Sequence, residues 1–98
     1  MPQAIENLTQ LVGTIAARRP HSQLGDYDVV TLDVERADPV EGKASLVDAA
    51  SGSHLEVAIR RELLGAAPQG ARLRLRAKRT LDGVMAEPHP EPENFRIE

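Results

Sequence analysis

Residues 71–87 read ARLRLRAKRTLDGVMAE, and this stretch predicts a β-hairpin. Cations and aliphatic residues alternate over residues 71–79, which is the period-2 pattern of a strand with one buried face. Asp82–Gly83 follows, and this dipeptide favours a type I′ turn, in which both central positions need a positive φ. We therefore expect residues 84–87 to return antiparallel to the first strand.

Two upstream stretches alternate in the same way. DVVTLDVER at 28–36 predicts a half-buried strand, which Asp38–Pro39 and Glu41–Gly42 should end because proline removes a ladder donor and glycine favours a turn. KASLVDAASGSHLEVAI at 43–59 predicts two strands joined at 49–53. The inward positions of the alternating stretches predict one aliphatic core, comprising Val30, Leu32, Val34, Leu55, Val57, Ile59, Leu73 and Leu75.

Strict alternation of apolar and polar residues is lost in two places, at residues 60–70 and near the amino terminus. RRELLGAAPQG at 60–70 predicts one or two helical turns, ended by Gly65 and Pro68. Residues 4–18 fit both a helix and a strand. Because Gly13 weakens a helix by roughly 1 kcal/mol relative to alanine, we favour a strand over residues 11–18.

The carboxyl-terminal residues are rich in proline. Pro88, Pro90 and Pro92 exclude a central strand over residues 88–98 and predict an extended strap or a tail. Phe95 and Ile97 are the residues that could hold such a strap against the barrel. We expect residues 1–98 to form a single domain, because a chain of this length builds one small core.

The amino-acid composition excludes several kinds of site and of segment. The chain contains no cysteine, which excludes disulfides, thiol catalysis and thiolate metal sites. The opening MPQAIENLTQ has neither a basic segment nor an unbroken apolar segment of a secretory signal. No apolar run approaches the roughly 20 residues that span a bilayer. We therefore expect a soluble, cytoplasmic protein with no membrane partner.

The predicted order of three strands, a short helix and a two-strand hairpin resembles the OB-fold, a five-stranded Greek-key barrel. LVDAASGSHLEVAI at 46–59 resembles its second hairpin, and RRELLGAAPQG resembles the helix before its fourth strand. The resemblance covers residues 11–87 and implies an all-β domain with one short helix. It also implies a ligand face on the second and third strands, where many such domains stack bases on aromatic rings. The outward residues expected there include no Phe, Tyr or Trp: Ser45, Val47, His54, Glu56 and Ala58.

Charge is distributed unevenly along a chain whose net charge is −3. Residues 26–48 and 82–98 are acidic, whereas residues 60–79 hold seven cations and one acid. The cations of the fourth strand could follow a phosphate backbone, but outward acids of neighbouring strands, Asp33, Glu35 and Glu87, could also neutralise them. The candidate anion- or nucleic-acid-binding residues are Arg18, Arg19, Arg72, Arg74, Arg76 and Lys78.

The sequence carries no motif of catalysis. The histidines at 21, 54 and 89 lack the short spacing of metal ligands, and no glycine-rich phosphate loop is present. We therefore expect no enzymatic activity, no metal site and no cofactor. The favoured function is a protein-interaction or adaptor module, acting with a protein partner or as a homo-oligomer. The alternative is a single-stranded nucleic-acid-binding module that uses the basic row at 72–78.

Overall fold

The strands of the chain close into a five-stranded barrel. The computed structural model describes residues 7–47 and 51–98. Its elements are β1 (Thr9–Pro20), β2 (Tyr27–Pro39), β3 (His54–Arg60), α1 (Arg61–Leu64), β4 (Arg72–Thr80), β5 (Gly83–Ala86), a 3₁₀ turn (Pro92–Asn94) and β6 (Arg96–Ile97). The strand order is β1-β2-β3-β5-β4-β6, and β1 also pairs with β4. The pairing of β3 with β5 is parallel, and the others are antiparallel. The predicted all-β, OB-like barrel is confirmed.

Strand β1 pairs with both β2 and β4, and Gly13 lies in both ladders. The register between β1 and β2 shifts between Val12 and Gly13, which places a β-bulge at this point. A Cβ atom on Gly13 would lie 2.4 Å from the carbonyl oxygen of Asp33 and 2.9 Å from Cγ of Leu32. No other residue fits there without displacing the β2 backbone. The glycine that weakens a helix in the sequence is thus a requirement of the strand, and the strand predicted over residues 11–18 is confirmed.

The barrel interior is aliphatic, as the alternation predicts. Seven of the eight predicted core residues are buried, and Leu55 is half-buried and packs against them. Leu64 of α1 closes one end of the cluster. Seven further buried residues complete it: Leu11, Ile15, Val47, Leu64, Ala77, Val84 and Ala86.

Of the hairpin predicted over residues 46–59, the second strand is confirmed as β3, whereas the first strand is wrong. Residues 45–47 are not in a strand, and Ala44 makes only one isolated parallel bridge, to Asn7; residues 48–50 lie outside the described part of the chain. The antiparallel partner of β3 is β2. The apolar pattern misleads because Val47 enters the core from a connecting segment, where burial requires no sheet alternation.

The end predicted for the second strand is confirmed, because β2 ends at Pro39 and a turn follows at residues 41–42. Strand β2 continues to Pro39, which lies opposite Thr9 at the last position of the β1–β2 ladder. A proline is tolerated at such a terminal position, because little of the ladder remains to be disrupted. Over residues 27–34 of β2, the outward residues alternate with buried ones. They are Tyr27, Val29, Thr31 and Asp33.

The β4–β5 hairpin is confirmed, but its turn is not type I′. Thr80 pairs with Gly83, so that Leu81 and Asp82 occupy the turn. Neither of these residues has a positive φ, whereas Gly83 has a φ of 127°. The glycine therefore serves the position after the turn. The hydroxyl of Thr80 accepts a hydrogen bond from the backbone N–H of Asp82, which stabilises this arrangement.

The carboxyl-terminal segment crosses the part of β4 that β5 leaves uncovered. Leu73 and Arg74 of β4 pair with Ile97 and Arg96 of β6, respectively. Phe95 is half-buried and packs against the core. The strap is thus attached by two backbone pairs and one ring, while most of its residues are exposed.

We predict that Gly13→Ala lowers the free energy of unfolding by about 1 to 3 kcal/mol, because its methyl group overpacks the contact with the β2 backbone. Urea denaturation measures the change. The matched control is Gly25→Ala, since a Cβ at Gly25 would meet no atom within 4 Å and its φ is not positive. Equal stability of the two variants would contradict the close approach of β1 and β2.

We predict that truncation after Glu87 leaves a barrel that unfolds cooperatively. The loss of the Phe95 contact and of the Glu98 ion pair should lower its free energy of unfolding by about 1 to 3 kcal/mol. Thermal denaturation followed by circular dichroism tests this. A truncated chain with no cooperative transition would show that residues 88–98 are part of the folding unit.

Candidate functional site

The outer face of β2, β3 and β5 carries a short apolar strip. Val29 pairs with Ala58 across the β2–β3 ladder, and Ala58 pairs with Met85 across the β3–β5 ladder. All three are half-buried and alternate with buried neighbours on their strands. Arg19 of β1 lies beyond Val29, and Lys78 of β4 lies beyond Met85. The strip is therefore a band of three apolar side chains between two cations.

A cleft of about 220 Å³ opens at one end of this strip. Its walls are the β1–β2 loop and the β4–β5 turn, and its lining includes Leu24, Ala58, Val84 and Met85. Leu81, at the tip of the β4–β5 turn, is fully exposed. The described residues of the cleft lining include no Phe, Tyr or Trp, and their one ring is the imidazole of His21. The strands and Leu24 of the β1–β2 loop offer apolar contact, whereas Thr80 and Asp82 of the turn are polar.

The β1–β2 loop is held in shape by His21. Its Nδ1 accepts hydrogen bonds from the backbone N–H groups of Gln23 and Leu24, both at 3.0 Å. The backbone N–H of His21 donates to the carbonyl of Tyr27, and the N–H of Tyr27 donates to the carbonyl of Leu24. These bonds fix the position of Leu24 before any ligand arrives. Since Nδ1 is the acceptor, a neutral His21 carries its proton on Nε2.

The ligand face differs from the one expected from sequence. Ser45 and Val47 do not lie on it, because they belong to the connection after β2 and Val47 is buried. Its outward residues on β2 begin with Tyr27, which lies opposite Arg60 of β3. The face therefore includes one half-buried ring. Correct placement of the β2–β3 pairing would have identified Tyr27 from sequence.

Two of the predicted phosphate-binding cations are engaged by acids near this end of the barrel. Nε of Arg18 donates to Asp28 at 2.7 Å, and its Nη1 donates to the carbonyl of Ala67 at 3.1 Å. Arg19 lies on the outer face, where its Nη2 is 2.6 Å from Glu56. Both cations are thus anchored to the barrel rather than presented by a solvated loop.

Asp28 is the centre of a buried ion cluster that sequence reasoning missed. Its carboxylate is 7% exposed and accepts hydrogen bonds from Arg18 and from Arg61, the latter at 2.9 Å. Burial would raise the pKa of Asp28, but the two guanidinium hydrogen bonds outweigh burial, and the pKa lies below its usual 3.8. The sequence did contain a signal for this cluster: Asp28 has the same inward phase as Val30 and Leu32, so the alternation itself places its carboxylate on the buried face.

The basic row of β4 divides into paired and unpaired cations. Arg72 donates to Glu35 at 2.8 Å and to Glu98 at 2.9 Å, and these hydrogen bonds raise the pKa of its guanidinium. Nε of Arg76 is buried without a hydrogen-bond partner. Within the described residues, Arg74 and Lys78 make no ion pair. Neutralisation by Glu35 is thus present, whereas Asp33 and Glu87 make no ion pair with the row.

Among residues 7–47 and 51–98, no group of three or more His, Asp or Glu side chains could hold a metal ion. In the same ranges, no helix has the length and apolar character needed to cross a bilayer. No protein-family model matches this chain, no curated protein matches it, and no solved structure matches it. The candidate site is therefore defined by its own geometry.

We predict that Asp28→Asn lowers the free energy of unfolding by about 1 to 3 kcal/mol, because an amide loses the charge that holds two guanidinium groups. The control is Asp26→Asn, whose exposed side chain makes no ion pair among the described residues. Urea denaturation at neutral pH measures both changes.

The effect of Asp28 should depend on pH. Because folding lowers its pKa, ionised Asp28 contributes its full stability above the unfolded value near 3.8, and this contribution disappears as pH falls through the folded value. The difference between wild type and Asp28→Asn should therefore shrink as the pH is lowered below about 3.8. A difference independent of pH would contradict an ionised cluster.

Proposed function

We propose that the domain is a non-enzymatic protein-binding module that docks an apolar segment of a partner protein in the cleft between the β1–β2 loop and the β4–β5 turn. The observation that carries this proposal is the full exposure of Leu81 beside the apolar lining of the cleft. A two-residue turn needs no leucine, and water contact with a whole leucine side chain is unfavourable. A docked segment would remove this side chain from water.

The chemistry of the cleft suits a polypeptide. Exposed apolar side chains grouped beside polar ones mark interaction sites, whereas isolated ones are common on any surface. Here Leu24 lines a cleft whose floor is Ala58 and Met85, and the exposed Leu81 lies in the turn between the lining residues Thr80 and Asp82. The unpaired Lys78 next to Met85 would favour a partner with an acid beside its apolar residue.

The paired state of the cations also supports a protein partner. Single-stranded nucleic-acid sites combine cations that follow the backbone with rings that stack bases. Arg18, Arg19 and Arg72 are each within 2.9 Å of a carboxylate. A phosphate would have to displace those acids. The cleft lining supplies aliphatic contact and, among its described residues, no Phe, Tyr or Trp side chain.

One observation favours a second candidate, a single-stranded nucleic-acid-binding module. Tyr27 lies on the outer face of β2, where a ring could stack on a base, and Lys78 could contact the adjacent phosphate. A single half-buried ring would give low affinity, since stacking contributes about 1 to 3 kcal/mol per base. This candidate predicts binding that falls steeply with salt.

We predict that Leu81→Ser removes a specific partner that the wild-type protein retains from native lysate. Ile97→Ser is the matched control, because Ile97 is also an exposed apolar residue but lies on β6, outside the cleft. Quantitative mass spectrometry of the retained proteins compares the variants. A partner lost with Leu81→Ser and kept with Ile97→Ser supports the cleft.

Fluorescence anisotropy with single-stranded DNA and RNA at low and physiological salt tests the second candidate. Under the protein-binding proposal, affinity at physiological salt is weak and insensitive to Tyr27→Ala. Submicromolar binding lost with Tyr27→Ala would replace the proposal with the nucleic-acid module. Equal partner retention by Leu81→Ser and Ile97→Ser would also overturn it.

A further inference from the structure

A second concave site lies on the outer face of β1, β2 and β4 and shares no lining residue with the cleft. Its volume is about 240 Å³, and its lining consists of Val12, Glu35, Arg36, Arg72 and Arg74. Three of these five residues are arginines from two different strands. The basic row that looked continuous in the sequence therefore contributes only its first half to this pocket.

The ladders bring arginines into one transverse row. Arg36 of β2 lies opposite Val12 of β1, and Val12 lies opposite Arg74 of β4. Arg74 in turn lies opposite Arg96 of β6. Like charges opposite one another across a ladder are destabilising, so the Arg74–Arg96 pair carries a cost that no partner within the described residues offsets.

The acids near the row are committed to other cations. Asp38 is 2.7 Å from Arg36, and Glu35 and Glu98 both pair with Arg72. Within the described residues, neither Arg74 nor Arg96 has an ion-pair partner. Arg74 is therefore the one arginine of the pocket lining that makes no ion pair within the described residues.

The β-bulge of β2 produces the concave shape. The register shift opposite Val12 and Gly13 places Glu35 and Arg36 at successive exposed positions of β2. Their side chains form one wall, and Arg72 and Arg74 form the other. Val12 lies between them and is 3% exposed although it is on the outer phase of β1, because the surrounding long side chains cover it. The floor is therefore apolar, and the walls are three guanidinium groups and the carboxylate of Glu35.

We propose that this pocket binds a phosphate dianion, with Arg74 as its principal contact and Arg36 as the second. Guanidinium groups offer parallel N–H donors that match the oxygens of a phosphate group, and such charge-assisted bonds are stronger than neutral ones. A doubly charged group suits the site better than a phosphodiester, because it must compete with Asp38 for Arg36 and lie close to the carboxylate of Glu35. Docking of this dianion relieves the repulsion between Arg74 and Arg96.

The test is a titration of the ¹⁵N-labelled protein with inorganic phosphate at constant ionic strength, with chloride as the reference salt. Saturable shifts of the backbone amide signals of Val12, Arg36 and Arg74 are expected. Arg74→Gln should weaken the apparent affinity at least about tenfold, since one charge-assisted contact contributes about that factor. A parallel titration with O-phosphoserine shows whether a free phosphate or a phosphomonoester binds more tightly.

Lys78→Gln is the matched control. Lys78 lies on the same strand and outer phase as Arg74, makes no ion pair among the described residues, and is outside the pocket. It should retain wild-type affinity. If both changes weakened phosphate affinity equally, the effect would depend on net charge alone and the proposed site would be overturned. Shifts that do not saturate, or that centre on the cleft around Leu24 and Met85, would also overturn it.

Discussion

The barrel depends on the close approach of two backbones at Gly13. A single strand must pair with β2 along one edge and with β4 along the other, and a straight strand of this length would diverge from one of them. The absence of a side chain at Gly13 lets the Asp33 carbonyl come within 2.4 Å of the position of a Cβ. Opposite Val12 and Gly13, β2 carries a bulge with Glu35 as its extra residue, and this bulge places Glu35 and Arg36 side by side on the outside. The close approach and the bulge that shapes the arginine pocket thus occur at the same place in the β1–β2 ladder.

A buried ion cluster fixes the end of the barrel from which the cleft opens. Asp28 enters β2 on its inward phase, and Arg18 of β1 and Arg61 of α1 converge on its carboxylate. The backbone N–H of Arg61 also donates to the carbonyl of Asp26 in the β1–β2 loop. The cluster therefore joins the helix to the loop that carries Leu24. We infer that two sets of contacts hold the β1–β2 loop in position: those of the Asp28 ion cluster and the hydrogen bonds of His21.

The sequence predicts the strands and the core, since alternation directly records which face is buried. It fails between Pro39 and Ser53, because burial of Val47 from a connecting segment produces the same apolar signal as a strand. The hairpin glycine was recognised, but its position relative to the turn depends on register, which no local pattern specifies. For the same reason Tyr27 was missed on the ligand face. An ion pair such as Arg72–Glu35 joins β4 to β2 across β1. It can be predicted only once the pairing and register of all three strands are known.

The four outward cations of ARLRLRAKR have different surroundings along one strand, and the neighbouring strands decide each. Arg72 lies beside the bulged Glu35 and near Glu98, and it makes an ion pair with each. Arg74 lies between Val12 and Arg96 and makes no ion pair within the described residues, Nε of Arg76 is buried without a hydrogen-bond partner, and Lys78 lies beside Met85 at the edge of the apolar strip. A uniform basic face would serve a long polyanion. This face is divided by its neighbours into separate local environments, and such a division favours small, discrete ligands over a continuous phosphate backbone.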